Sequence, residues 1–142
     1  MRGFPVTNTP EQVHHVWNEW HEATKAQDRD RMAALYAPDA IFESPTVVAL
    51  GGTSDGVLRG AGRIADQLAK VWATTPDALG EWYRTPDYYT NGSLLMWEYP
   101  SQTPTGRQAG LVESMDIENG LIACHRVYWG WVGVRSLLRD QT

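Results

Sequence analysis

The chain has 142 residues, enough for one domain with a real core and too few for two comfortable ones. Its 42% hydrophobic content excludes a disordered chain, and a net charge of −5 speaks against the basic surface that nucleic acid or an anionic membrane would need. Seven tryptophans are a heavy load, because each buried indole N–H wants an acceptor; they suit either a cavity that grips a large apolar molecule or an aromatic core.

Cys124 is the single cysteine, so neither an internal disulfide nor a cysteine-based metal site is expected. The opening "MRGFPVTNTP" lacks an apolar leader segment, and no run approaches membrane-spanning length, which leads to the expectation of a soluble, cytoplasmic protein. "NGS" at 91–93 matches a glycosylation sequon but reads better as a turn.

Thr9-Pro10-Glu11-Gln12 has the form of a capping box, and Val13, Val16, Trp17, Trp20, Ala23 and Thr24 then follow the three-four spacing of one helix face. A second helix is expected from Asp28, carrying Met32, Leu35 and Tyr36 and ended by Pro38. "DAIFES" at 39–44 reads as a strand. The glycines of "GGTSDGVLRGAG" do not fit a phosphate-binding loop and predict a mobile one. A third helix is expected over 61–74, with Ile64, Leu68, Val71 and Trp72 on one side. Strands are expected at 81–90, 93–101, 108–117 and 121–131, separated by Asn-Gly turns and a Pro/Gly-rich loop, before a short helical tail at 134–140. Helices followed by consecutive hairpins imply one α+β domain, a curved antiparallel sheet wrapped around helices.

Period-two alternation gives each strand two faces. In 121–131, Leu121, Ala123, His125, Val127, Trp129 and Trp131 share one face. In 108–117, Leu111, Glu113, Met115 and Ile117 do, and in 93–101, Leu94, Met96 and Glu98 do. Glu98, Glu113 and His125 are each titratable among apolar neighbours. Facing a common interior, they would form an acid/base cluster. The alternatives stay open: Glu113 on a solvated sheet face, His125 as a hydrogen-bonded core histidine, Glu98 on a rim. No tight spacing supports a metal site built from the three.

"YAPDAIFESP" at 36–45 and "NGLIACHRVYWG" at 119–130, with Trp17 and the helix that follows the glycines, resemble the nuclear transport factor 2-like superfamily. Within it the chain is similar to the SnoaL-like polyketide cyclases, ketosteroid isomerases and limonene epoxide hydrolases, over nearly its whole length. The resemblance implies a cone-shaped sheet with a deep pocket, into which Glu113, His125, Val127 and Trp129 face. It places Arg126 and Tyr128 on the outer sheet face, where relatives pair as homodimers. It also implies departures. The ketosteroid isomerase base falls at Ser44, its oxyanion tyrosine at Trp20 and its protonated acid at Glu113. The acid, arginine and second acid of the epoxide hydrolases fall at Glu98, Met96 and Val127.

The resulting expectation is a cofactor-free and metal-free cyclase or isomerase of secondary metabolism, closing a polyketide-like substrate by aldol or pericyclic chemistry. Glu98, Glu113 and His125 would carry proton transfer, and Trp20, Tyr36, Ser44, Trp72, Met96, Met115, Val127 and Trp129 would bind substrate. Two alternatives accompany it: an epoxide hydrolase acting through activated water, and a non-catalytic ligand-binding or dimerisation module.

Overall fold

Thr9 caps the longest helix as its sequence predicts. In the computed structural model, which describes residues 8–74, 87–98 and 110–140, the Thr9 hydroxyl accepts from the Gln12 N–H while the Gln12 carboxamide accepts from the Thr9 N–H. Helix α1 spans Pro10–Ala26 and buries Val13, Val16, Trp20, His21, Ala23 and Thr24 along one face.

Helix α2, Arg29–Ala33, is shorter than expected, and Tyr36 does not belong to it. Tyr36 instead heads strand β1, Tyr36–Glu43. Pro38 supplies the reason: it disfavours helical backbone at Ala37, so the chain becomes extended two residues earlier than the apolar pattern suggests. Ser44 then caps a short helix that the sequence reading did not anticipate, α3 at Pro45–Ala49. The glycine-rich stretch is not simply a loop either. It contains strand β2, Val57–Arg59, which pairs antiparallel with β1 and buries Leu58. Helix α4 follows at Ala61–Thr74, where it was expected.

The remaining strands are β3 (Tyr89–Thr90), β4 (Leu94–Glu98), β5 (Leu111–Glu118) and β6 (Leu121–Trp129), and helix α5 closes the described chain at Trp131–Asp140. Trp131 therefore opens a helix instead of ending a strand. The expected strand at 81–90 is described only from Asp87 onward, and the ends of the next two expected strands and the Pro/Gly-rich loop also lie outside the described residues.

The six strands form one curved, open sheet in the order β2-β1-β6-β5-β4-β3. The sheet is mixed, which corrects the expected antiparallel one: β1 inserts beside β6 and runs parallel to it. Parallel neighbours need a long crossover, and everything from α3 to β5 serves as that connection.

Two details set the direction of the side chains. Asn119 and Gly120 both have positive φ, at 52° and 78°, the geometry of a two-residue hairpin turn that matches strand twist. A bulge then makes Asp116 face Cys124 while Ile117 faces Ile122, leaving Ala123 as the extra residue. Strict alternation fails there. Ile122 is fully buried, whereas Leu121, expected inside, is 36% exposed. Asn8 fastens this end of the hairpin: its side-chain amide donates to the carbonyls of Gly92 and Ile117 and its carbonyl accepts from the Gly120 N–H, all at 2.8–2.9 Å.

Candidate active site

The register of β4, β5 and β6 decides which side chains meet. Trp97 faces Glu113, Glu113 faces Val127, and Met115 faces both Leu95 and His125. Opposed residues share a face, so Leu95, Trp97, Glu113, Met115, His125 and Val127 line the concave side. Phe42 of β1 joins them opposite His125. The convex side receives Leu94, Met96, Glu98, Ser114, Asp116, Cys124, Arg126 and Tyr128.

Glu98 and Met96 are thereby separated from Glu113 and His125, a correction to the expected cluster. Glu98 is exposed, and Leu95 and Trp97 take the buried positions of β4. Burying a leucine and an indole is favourable, whereas burying an unpaired carboxylate is costly, so the strand turns the other way. Trp97 is the inward residue that sequence reasoning missed. Its place opposite Glu113 was available in principle, from the opposite phase of the same alternation.

On the concave side Glu113 and His125 do meet. His125 Nε2 lies in hydrogen-bond contact with Glu113 Oε2. The other ring nitrogen, Nδ1, is 2.7 Å from the Tyr36 hydroxyl. The Trp20 indole N–H donates to that hydroxyl at 3.4 Å. Four residues from α1, β1, β5 and β6 thus form one hydrogen-bonded chain, and none of them is more than 5% exposed. Burial raises the Tyr36 hydroxyl well above the usual phenol range; the Trp20 hydrogen bond opposes this and the charge of Glu113 adds to it.

Aromatic rings enclose the chain. Phe42 meets the His125 ring edge-on at 4.9 Å, and Trp20 meets Trp97 edge-on at 5.3 Å. At this level the interior is solid: His125 has no exposed surface, and both its nitrogens have partners. Beyond it, toward Gly110, the concave face is lined by Glu113, Val127, Leu111 and Trp129, the last three only partly buried. Trp129 Nε1 is shielded from water with no hydrogen-bond partner among the described residues. Gly133 of α5 rests on the Trp129 ring, so closely that an added Cβ would lie 2.7 Å from it.

The other expected binding residues divide. Met115 and Trp72 are buried, in β5 and α4. Ser44 is buried too, but its hydroxyl accepts from the Thr46 N–H to cap α3 and meets the Thr46 hydroxyl at 2.9 Å. The described residues contain no group of three or more metal-ligating side chains, and none of their helices is long and apolar enough to cross a membrane. A groove of about 460 Å³ lies elsewhere, outside α1, between Glu11, His14, His15, Asn18 and Tyr88.

No curated protein matches the chain. Solved structures do. A SnoaL-like protein of unknown function from Burkholderia thailandensis is 19% identical, covers 87% of this chain and 98% of its own, and has a TM-score of 0.67. An LEH-like epoxide hydrolase from M. tuberculosis is 17% identical over 92% of each chain, with a TM-score of 0.60. A candidate polyketide cyclase from Sinorhizobium meliloti is 18% identical over 80% of this chain and 93% of its own, at 0.57. At such identities the likeness is one of fold, the nuclear transport factor 2-like fold that the sequence resemblance implied. The family model of the SnoaL-like domain matches residues 17–125, most of the sheet and all of the buried hydrogen-bonded chain, and the protein belongs to that family.

Proposed function

We propose that the protein is a cofactor-free cyclase or isomerase of secondary metabolism that closes an apolar, polyketide-like substrate at the concave face beside Glu113. The observation that carries this reading is a carboxylate held in an apolar, ring-walled interior by a single histidine. A group so placed is suited to proton transfer. Glu113 touches the substrate, and His125, sealed on every side, acts only through it. Trp129, with Val127 and Leu111, shapes the bound chain. Holding reacting atoms together is itself worth roughly 7–11 kcal/mol at best, which serves aldol and pericyclic closure alike. The fold shared with the candidate polyketide cyclase from Sinorhizobium meliloti fits the same chemistry.

The epoxide-opening alternative is less well served. Two of the three positions that the resemblance assigns to water activation, Glu98 and Met96, sit on the convex face, away from Val127. That convex face, with Tyr128 half exposed beside Arg126, is where we place a homodimer contact in a cytoplasmic enzyme.

The test is turnover of a panel of linear poly-β-ketones, read by mass spectrometry of cyclised products. Glu113→Gln is expected to lower turnover about 100-fold or more. Unchanged turnover removes Glu113 from the mechanism, and a dry interior that binds none of the panel favours a non-catalytic module.

A further inference from the structure

We propose that Trp20 and Tyr36 are positioning residues that fix the hydrogen-bond direction of the buried His125 ring, leaving Nδ1 an acceptor and turning the ring N–H on Nε2 toward Glu113.

The argument starts at the donor-only end of the chain. An indole N–H can donate and cannot accept. Trp20 therefore fixes the direction of its hydrogen bond to Tyr36 and occupies that side of the hydroxyl oxygen. The Tyr36 hydroxyl keeps its own proton, because burial strongly disfavours the phenolate. With Trp20 donating to the hydroxyl oxygen, the hydroxyl proton is left to His125 Nδ1, 2.7 Å away. A nitrogen that accepts a hydrogen bond carries no hydrogen. The one proton of a neutral imidazole then sits on Nε2, facing Glu113 Oε2.

Among the described residues, three elements face the His125 ring. Helix α1 presents Trp20, β1 presents Tyr36 and Phe42, and β5 presents Glu113 and Met115. The Trp20–Tyr36 pair keeps hydrogen off Nδ1, since a proton there would meet the hydroxyl hydrogen head-on. Sequence reading gives these two residues the role of pocket walls; the geometry gives them control over where a proton rests.

The hydrogen-bond direction does not depend on any reaction, whereas its catalytic consequence rests on Glu113 acting as proposed above. The test uses the full chain labelled with 15N-histidine, and long-range proton–nitrogen spectra of the ring, assigned by the loss of signals in His125→Phe. In the wild type, a proton on Nε2 and a proton-free, hydrogen-bonded Nδ1 are expected. Tyr36→Phe, which keeps the ring and removes the hydroxyl, is expected to move the Nδ1 signal toward that of a nitrogen with no hydrogen-bond donor. Trp20→Phe provides the same readout if Tyr36→Phe does not fold. A wild-type ring with a proton on Nδ1, or variants whose ring signals match the wild type, overturns the proposal. On a substrate accepted in the panel, Tyr36→Phe should lower kcat about tenfold with KM unchanged. Ring signals as expected without any cyclase activity would retain the positioning role and reject the proposed function.

Discussion

Strands β5 and β6 carry two acid–base pairs, one on each face. On the concave face Glu113 meets His125, and neither side chain is more than 6% exposed. On the convex face Asp116 meets Arg126 through both guanidinium nitrogens at 3.1 and 3.3 Å, with about a quarter of each side chain exposed. The convex pair is partly exposed and has neighbours such as the Cys124 sulfur. The hydrogen bond to Asp116 raises the Arg126 guanidinium further, so the guanidinium keeps its charge. The concave pair is buried, and the hydrogen bonds of its histidine go to other side chains. The same hairpin thus holds a simple ion pair on its outside and a proton-ordering network on its inside.

The largest expected effect comes from breaking the inner pair. His125→Phe leaves Glu113 and Tyr36 buried without their partner and should cost about 3–5 kcal/mol in urea unfolding. Asn8→Ala releases three backbone groups at the shared end of the hairpin and should cost about 2–4 kcal/mol, visible as early hydrogen exchange of Gly120. The outer pair is worth less: Arg126→Met should lower stability by about 1 kcal/mol or less, and high salt should shrink the difference. The smallest effect belongs to Arg31–Glu19, an exposed pair at 2.5 Å remote from the sheet. The Arg31 hydrogen bond holds Glu19 below the ordinary carboxylate range. Its small contribution should therefore be present above that range and disappear as pH falls through the lowered value, a dependence that Arg31→Ala abolishes. A loss from Arg126→Met equal to that from His125→Phe would erase the contrast between the faces.

Most elements were legible because their signals are local. The Thr9 capping box, the α4 apolar stripe and the Asn119-Gly120 turn each act over a few residues. What was not legible depends on partners distant in sequence. The parallel β1–β6 pairing is long-range, and nothing in "DAIFES" announces it. The site was half readable for the same reason. Alternation put Glu113 and His125 on one face, but the phase of β4 was read from its carboxylate, when the burial of Leu95 and Trp97 decides it. Tyr36 looked helical, and only the extended backbone imposed around Pro38 carries its hydroxyl to His125.

The spare residue at Ala123 has one more implication. Ile122 and His125 stand an odd number of positions apart, yet both face the concave side, so the insertion acts as a parity correction between the turn and the rest of the strand. Excising Ala123 would keep both inward while removing the local kink. The hairpin should then flatten and the sheet lose curvature near the turn, without altering Glu113 or His125.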